Sequence, residues 1–387
     1  MSGPVRPAHT ARPLRIGLLG LGTVGGAVAG ALLDGSWRQS ARRRGGAELE
    51  LVAVGVRDPD RSRGLDLPAS VEVSADLDAL VARPDLDVVV ELLGGLEPAE
   101  RLVWAALEHS HAVVTANKAL IAARGASLEQ LSRRTGAPLR FEAAVGGGTP
   151  ILGPLVRDLA ATHIRSVAGI VNGTTNHILT AMTRHGTDYP NALAEAQRLG
   201  YAEADPTADV TGADAASKLA ILTRLAFGVW LDPEAMPRSQ PPGEAPLGIS
   251  GVTSEAIAAA AEQDMAIKLL AHAERAAEGA VSAWVAPVAV PRRSPIGSTD
   301  GVTNIIEIDT DLLGRMWLRG PGAGGSATSS AVLADLLALG RGEGSTWSAL
   351  PEAPTAANSA SGWAGAWLDV ETIAGRSRYP VLDGPAA

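Results

Sequence analysis

Thirty-three basic residues occur in this 387-residue chain, and only three are lysine: Lys118, Lys218 and Lys268. Arginine stays protonated, whereas a lysine can be tuned to take up and release a proton. Lys218 lies in the stretch GYAEADPTADVTGADAASKLAIL, which also holds Glu203, Asp205, Asp209 and Asp214. Asp214 and Lys218 are four apart on a predicted helix running from Asp214 to about Phe227. They share one face, with the acid N-terminal to the base. As a surface pair they would contribute only about 0.3 kcal/mol. The apolar run Leu219–Leu222 follows, however, and places the amine beside buried surface. Desolvation disfavours a charged amine, which suits a proton shuttle between an alcohol and an aldehyde or ketone. The neighbouring carboxylates suit a substrate ammonium group.

A second cluster opens the chain. IGLLGLGTVGGAVAGALL contains Gly20-x-Gly22-x-x-Gly25, preceded by a predicted strand and followed by a predicted helix. Gly20 permits a tight turn, Gly22 lets backbone amides approach a pyrophosphate, and Gly25 lets the helix pack on the strand. The positive end of the helix then faces the phosphates. The motif reads as a dinucleotide site rather than a merely glycine-packed helix. The next strand ends Val56-Arg57-Asp58, with Arg61 and Arg63 nearby. Arg57 suits the 2′-phosphate of NADP, while Asp58 could bind the ribose of NAD; NADP is favoured. Lys118 follows the fourth strand in HAVVTANKAL. Ligands of such sheets sit beyond the carboxyl ends of the strands, so Lys118 is placed to reach nicotinamide or substrate, unless it is an exposed loop lysine. Lys268, in DMAIKLLAHAE, reads as a structural, snorkelling residue of an amphipathic helix.

The elements that must position these residues begin with strands at Leu14–Leu19, Glu50–Val56, Asp87–Leu93, Ala112–Thr115 and Leu139–Ala143. Helices at Asp76–Ala82 and Ala99–Glu108 alternate with them. This pattern predicts an α/β fold: a Rossmann-type doubly wound parallel sheet over residues 14–145, completed by about 321–340. Residues 146–320 lose the strict alternation. Strands at Ile164–Val171, Val281–Val290 and Asn304–Asp309, and helices at Asn191–Leu199 and Asp214–Phe227, suggest a second, α+β domain for substrate binding and dimerisation. Residues 1–13 read as a flexible tail, 232–251 as a loop and 341–387 as an irregular C-terminal tail.

Composition limits the function. The net charge of −9 argues against non-specific nucleic-acid binding. The run Arg42–Arg44 reads as a solvated turn. Absence of cysteine excludes a thiolate nucleophile and a Cys-ligated metal, and fits a cytoplasmic protein. The uncharged run Ile16–Leu33 has the length of a membrane span. It contains Gly17, Gly20, Gly22, Gly25, Gly26 and Gly30, too much glycine for one.

The motifs VVVELLGG, VVTANKALIA, FEAAVGGGTPI, GIVNGTTN, AQRLGYAEADPTADVTGADAASKLAIL and GPGAGG…TSSAVLADL occur in this order between about residues 14 and 340. In these the chain resembles homoserine dehydrogenases. The resemblance implies reversible NAD(P)-dependent oxidation of L-homoserine to L-aspartate 4-semialdehyde, a step towards threonine and methionine. It implies Lys218 as proton donor and acceptor, and Lys118 and Asp214 as its catalytic partners. Glu203, Asp214, Tyr201 and Thr174 are implied for the substrate. For the cofactor, Gly20, Gly22, Thr23, Val24, Gly25, Arg57, Leu93, Gly94, Lys118, Gly200 and Gly322 are implied. A structural sodium ion would lie at Glu142, Val145, Gly147 and Thr149, where backbone carbonyls suffice. A homodimer through the second domain's sheet is also implied.

Two departures qualify the resemblance. Many bacterial members carry a C-terminal regulatory ACT domain, for which residues 341–387 are too few and differently composed. His177 stands where the family often has tyrosine, which suits a tuned substrate pocket. A member redirected to another amino alcohol or semialdehyde is therefore the alternative. A catalytically silent nucleotide-binding protein is a third reading, against which Lys118, Asp214 and Lys218 argue.

Overall fold

The computed structural model describes residues 12–44, 47–238, 248–275, 279–353, 367–372 and 375–381. Most of the expected N-terminal tail, and residues 239–247 of the expected loop, lie outside these. The first unit runs β1 (Leu14–Leu19), α1 (Thr23–Leu33), α2 (Gly35–Arg43), β2 (Leu49–Gly55), β3 (Glu72–Ser74), α3 (Leu77–Val81), β4 (Val88–Glu91), α4 (Ala99–Glu108), β5 (Ala112–Thr115), α5 (Lys118–Thr135) and β6 (Leu139–Arg140). Its strands form one parallel sheet in the order β3-β2-β1-β4-β5-β6. The order reverses at β1, and a crevice for ligands opens at such a point.

The short strands are apolar throughout because both faces of the sheet are covered. Val88 and Val90 pack with Val28 and Leu32 of α1. Val89, on the opposite face, joins Leu102 of α4 and Leu120 of α5. The expected strand Leu139–Ala143 is cut to β6, and Glu142–Ala144 form a 3-10 turn instead. Arg42 and Arg43 form the last turn of α2 rather than a free turn. Cations there complement the negative end of the helix.

The second unit comprises α6 (Leu152–Val156), β7 (Ile164–Ile170), α7 (Gly173–His185), α8 (Tyr189–Arg198), α9 (Thr207–Val210), α10 (Ala213–Phe227), α11 (Ser254–Glu262), β8 (Met265–Arg275), β9 (Val281–Pro291), β10 (Thr303–Thr310) and β11 (Gly314–Pro321). Its sheet has the order β11-β10-β7-β8-β9 and is antiparallel throughout. One face, with Val167, Ile267, Leu269 and Ile306, packs with Ile178 of α7 and Leu219 of α10. The chain then returns through α12 (Gly325–Gly340), whose Val332 and Leu336 join the core around β1 and α1.

Two expectations are corrected here. Lys268 lies in β8, not on a helix, and it does not snorkel. Its side chain is 3% exposed, and Nζ donates to Asn176 Oδ1 (3.1 Å), the Thr299 carbonyl (2.8 Å) and Asp300 Oδ1 (2.9 Å). Its role is to tie the loop before β10 to α7. Nor is the C-terminal tail wholly irregular. Trp347 is buried against Phe141 and Trp230, and β12 (Trp367–Thr372) pairs antiparallel with β13 (Gly375–Pro380). Residues 354–366, 373–374 and 382–387 lie outside the described part.

The two units meet where α5 packs on α10. Glu129 of α5 accepts from Arg224 Nε (2.8 Å) and Nη2 (2.6 Å), and from Trp230 Nε1 (2.9 Å). All three residues are buried. Helix α5 begins at Lys118 and α10 carries Lys218, so this junction fixes the helices that present the two lysines.

Candidate active site

At the end of β1 the three motif glycines behave as their spacing predicts. Gly20 adopts φ +96°, and a Cβ there would lie 2.7 Å from the Leu92 carbonyl oxygen. A Cβ on Gly25 would lie 2.0 Å from the Gly20 carbonyl oxygen, so only glycine lets α1 start this close. Gly22 is exposed, caps α1 without a side-chain bond, and would meet no protein atom with a Cβ. The amides of the first turn therefore face outward from a bare helix N-terminus, which suits a pyrophosphate. Thr23 is exposed beside them, and Val24 lines the adjoining cavity.

Beyond β4, Glu91 organises the neighbouring loops. Its buried carboxylate accepts from the Leu93 amide (2.7 Å), the Gly94 amide (3.3 Å) and Thr115 Oγ1 (2.5 Å). Thr115 Oγ1 accepts in turn from the Asn117 amide (2.9 Å), and Asn117 caps α5 through the Leu120 amide (3.1 Å). This chain sets the position of Lys118, the first residue of α5.

A cavity of roughly 590 Å³ lies between the two units. Val24, Lys118, Gly147, Thr174, Gly200, Tyr201, Asp214, Lys218 and Gly322 all line it, although they span most of the chain. Asp214 lies at the start of α10, which begins from Gly212 at φ +79°. The expected i,i+4 pair forms: Lys218 Nζ donates to Asp214 Oδ2 at 2.8 Å and to the Val171 carbonyl at 2.7 Å. Both side chains are buried, so this is not a surface pair. Two of the three ammonium donors are thereby fixed, and the amine is oriented. Lys118 Nζ approaches Asp214 Oδ1 at 3.2 Å from across the cleft. Burial alone would raise the pKa of Asp214, but the two lysine charges and the Lys218 and Asn172 hydrogen bonds hold it well below the usual carboxylate range.

Asn172 joins the cluster without having been read from the sequence, and it ties Asp209, one of the neighbouring carboxylates, to Asp214. Asn172, N-cap of α7, donates through Nδ2 to Asp209 Oδ1 (2.6 Å) and Asp214 Oδ2 (2.7 Å). Its Oδ1 accepts from the Thr175 amide at 2.9 Å. Asp209 lines the cavity, and burial, with the Asp214 charge adding to it, raises its pKa. The signal for Asn172 was the Asn-Gly-Thr after a strand, a capping pattern, but its partners are 37 and 42 residues away.

Other predicted residues sit apart from the cavity lining. Glu203 and Arg57 are exposed, Leu93 packs on the Gly20 turn, and the Gly94 amide is held by Glu91. The Glu142 carboxylate is spent on the amides of Ile151, Leu152 and Gly153 at the start of α6. Val145 and Thr149 are also buried. Among the described residues no group of three or more His, Asp or Glu side chains could hold a metal ion. His177 meets the Tyr201 ring at 4.8 Å in a tilted arrangement, and burial lowers its pKa, which favours the neutral ring. Among the described residues no helix is long and apolar enough to cross a membrane.

The family model for homoserine dehydrogenase matches residues 150–337, and that for the homoserine dehydrogenase NAD-binding domain matches residues 20–142. A homoserine dehydrogenase of Synechocystis is 43% identical over 84% of this chain and 72% of its own length. A crystal structure of a homoserine dehydrogenase from Thiobacillus denitrificans superposes with a TM-score of 0.81 at 38% identity, covering 89% of this chain and 79% of that one. A hyperthermophilic archaeal homoserine dehydrogenase in complex with NADPH gives a TM-score of 0.67 at 28% identity, covering 84% and 97% of the two chains. With family models covering most of the chain and a relative 43% identical over 72% of its own length, the chain belongs to the homoserine dehydrogenase family.

Proposed function

We propose that this protein interconverts L-homoserine and L-aspartate 4-semialdehyde with a nicotinamide coenzyme. The observation that carries the reading is the buried Lys218–Asp214 pair, met by Lys118 across the cleft beside the glycine turn. The bound nicotinamide supplies or accepts the hydride. The chain's own residues do the rest. Lys218 Nζ, with two of its donors fixed, takes the hydroxyl proton during oxidation and returns one during reduction. Lys118 holds the substrate oxygen and offsets its developing negative charge. Asp214 orients both amines, and Asp209 and Asp214 face the substrate ammonium, with Glu203 at the rim. Tyr201 and Thr174 shape the pocket; Thr174 Oγ1 donates to the Tyr201 carbonyl at 2.7 Å.

On the coenzyme side, the α1 N-terminus at Gly22 and Thr23 takes the pyrophosphate, while Val24, Leu93, Gly94, Gly200 and Gly322 surround the rest. Exposed Arg57 favours NADP over NAD. A sodium ion is proposed on the carbonyls of Glu142, Val145, Gly147 and Thr149, oxygen donors that suit a hard cation. The proposal extends to a cytoplasmic homodimer joined through the antiparallel sheet. Initial rates with L-homoserine and with L-aspartate 4-semialdehyde, each with NADP(H) and NAD(H), test the reading. Turnover of another amino alcohol in preference to homoserine would overturn it.

A further inference from the structure

Gly322 lines the cavity, and Asn304 lies directly behind it. In the antiparallel pairing of β10 and β11, Asn304 stands opposite Gly320, and Thr303 opposite Pro321. Asn304 is 1% exposed, and neither Nδ2 nor Oδ1 of its carboxamide has a hydrogen-bond partner. A Cβ on Gly322 would lie 2.2 Å from Nδ2, 2.3 Å from Cγ and 2.4 Å from Oδ1. Three nearly equal distances mean that the amide plane lies flat against the glycine. Its polar edges point past the main chain rather than at it, and only glycine permits the approach. On the other flank Gly147 packs against the segment, where a Cβ would lie 2.6 Å from the Gly322 carbonyl oxygen, but the hydrogen bonding there is weak. The Gly148 amide reaches the Pro321 carbonyl at 3.4 Å, beyond the usual range for such bonds. Segment 320–324 then enters α12 through Gly324, at φ +117° and with no side-chain cap.

A buried carboxamide without partners is costly and rare in native cores. A leucine of similar volume would remove that cost. The amide makes sense where a second state of the enzyme uses it. We infer that Asn304 is a positioning residue for the coenzyme-side wall of the cavity. With coenzyme bound, its carboxamide hydrogen-bonds the main chain at Gly322 and holds segment 321–324 against the ligand. Asn304 acts through Gly322 and touches neither substrate nor coenzyme. The role rests on the cleft being the nicotinamide site proposed above.

The test uses the full chain and Asn304→Leu, measuring thermal unfolding of the free protein and NADPH affinity by fluorescence titration. The free variant should melt at or above the wild-type temperature, while its NADPH Kd rises about tenfold, the loss of one good hydrogen bond to a buried group. The KM for homoserine should stay near that of the wild type. An unchanged Kd overturns the inference. So does a melting temperature lower by more than a few degrees, which would mean that the amide already serves the free fold. Should Asn304→Leu not fold, Asn304→Ala decides on NADPH Kd alone, by the same tenfold criterion. A wild-type protein that binds neither NADPH nor NADH refutes the nicotinamide site itself, and this inference falls with it.

Discussion

Replacing Asp214 with asparagine keeps the shape of the side chain and removes one negative charge from between two lysines. Its Oδ2 takes Lys218 at 2.8 Å and Asn172 at 2.7 Å, and its Oδ1 faces Lys118 at 3.2 Å. An asparagine must turn an amide donor towards at least one of these donors. Lys218 and Asp214 side chains are 11% and 8% exposed, and breaking a buried pair from one side costs about 3–5 kcal/mol. Lys118 is 43% exposed, so water screens its share to about 1 kcal/mol or less. Asp214→Asn should therefore lower the unfolding free energy by about 4 kcal/mol at pH 7.5, a large part of the roughly 5–15 kcal/mol usual for a domain. The pH dependence has a definite sign. The carboxyl of Asp214 is held below its unfolded value of 3.8. Its stabilisation is thus complete above that value and is lost as pH falls through the lower folded one. Urea unfolding followed by the fluorescence of buried Trp230 and Trp347 measures both effects. Wild type and variant should converge in acid. A difference below about 1 kcal/mol at pH 7.5, or one that does not shrink down to pH 3, would refute the paired-charge reasoning.

Three further outcomes follow from the same geometry. Gly25→Ala would place a Cβ 2.0 Å from the Gly20 carbonyl oxygen, so NADPH affinity should fall at least about tenfold while the second unit, with its own sheet, stays folded; equal affinity in a titration would show that α1 can shift freely. Glu129→Gln leaves the charge of Arg224, which is 0% exposed, without a counter-charge, although Arg224 still donates to the Pro351 carbonyl, and should cost about 3 kcal/mol in denaturant unfolding; a loss near zero would show that the junction is solvated. Arg57→Ala should raise the KM for NADP more than that for NAD, and equal changes would remove Arg57 from 2′-phosphate recognition.

The nucleotide half was the more legible because its signals are local. The glycine turn lies within a few residues, and four of the five expected strands appear where the apolar runs place them; in the second unit the Asp214–Lys218 spacing is equally local and forms as read. Lys268 shows where local reading stops. Its strand is buried on both faces from Ala266 to Ala273, so no period-2 alternation marks it, and a continuous apolar run fits helix and strand alike. β11 failed for the opposite reason: its burial alternates, but it is an exposed edge carrying Arg315 and Arg319. Asn172 could be read as a helix cap but not as the bridge between Asp209 and Asp214, because the bridge exists only once β7, α9 and α10 are folded together. Which carboxylates of this stretch line the cavity is likewise not legible locally: the turn after Gly200 leaves Glu203 exposed, whereas Asp209 lines the cavity.

Lys218→Met, assayed for NADPH binding and for homoserine oxidation on one preparation, tests the central claim most directly. Methionine keeps the length of the side chain and removes the only group proposed to move the proton. NADPH affinity should stay within about threefold of wild type, while turnover falls by about 10²–10⁴, the usual contribution of a general acid–base. Turnover within tenfold of wild type, with binding intact, would contradict the assignment of Lys218 as the proton shuttle.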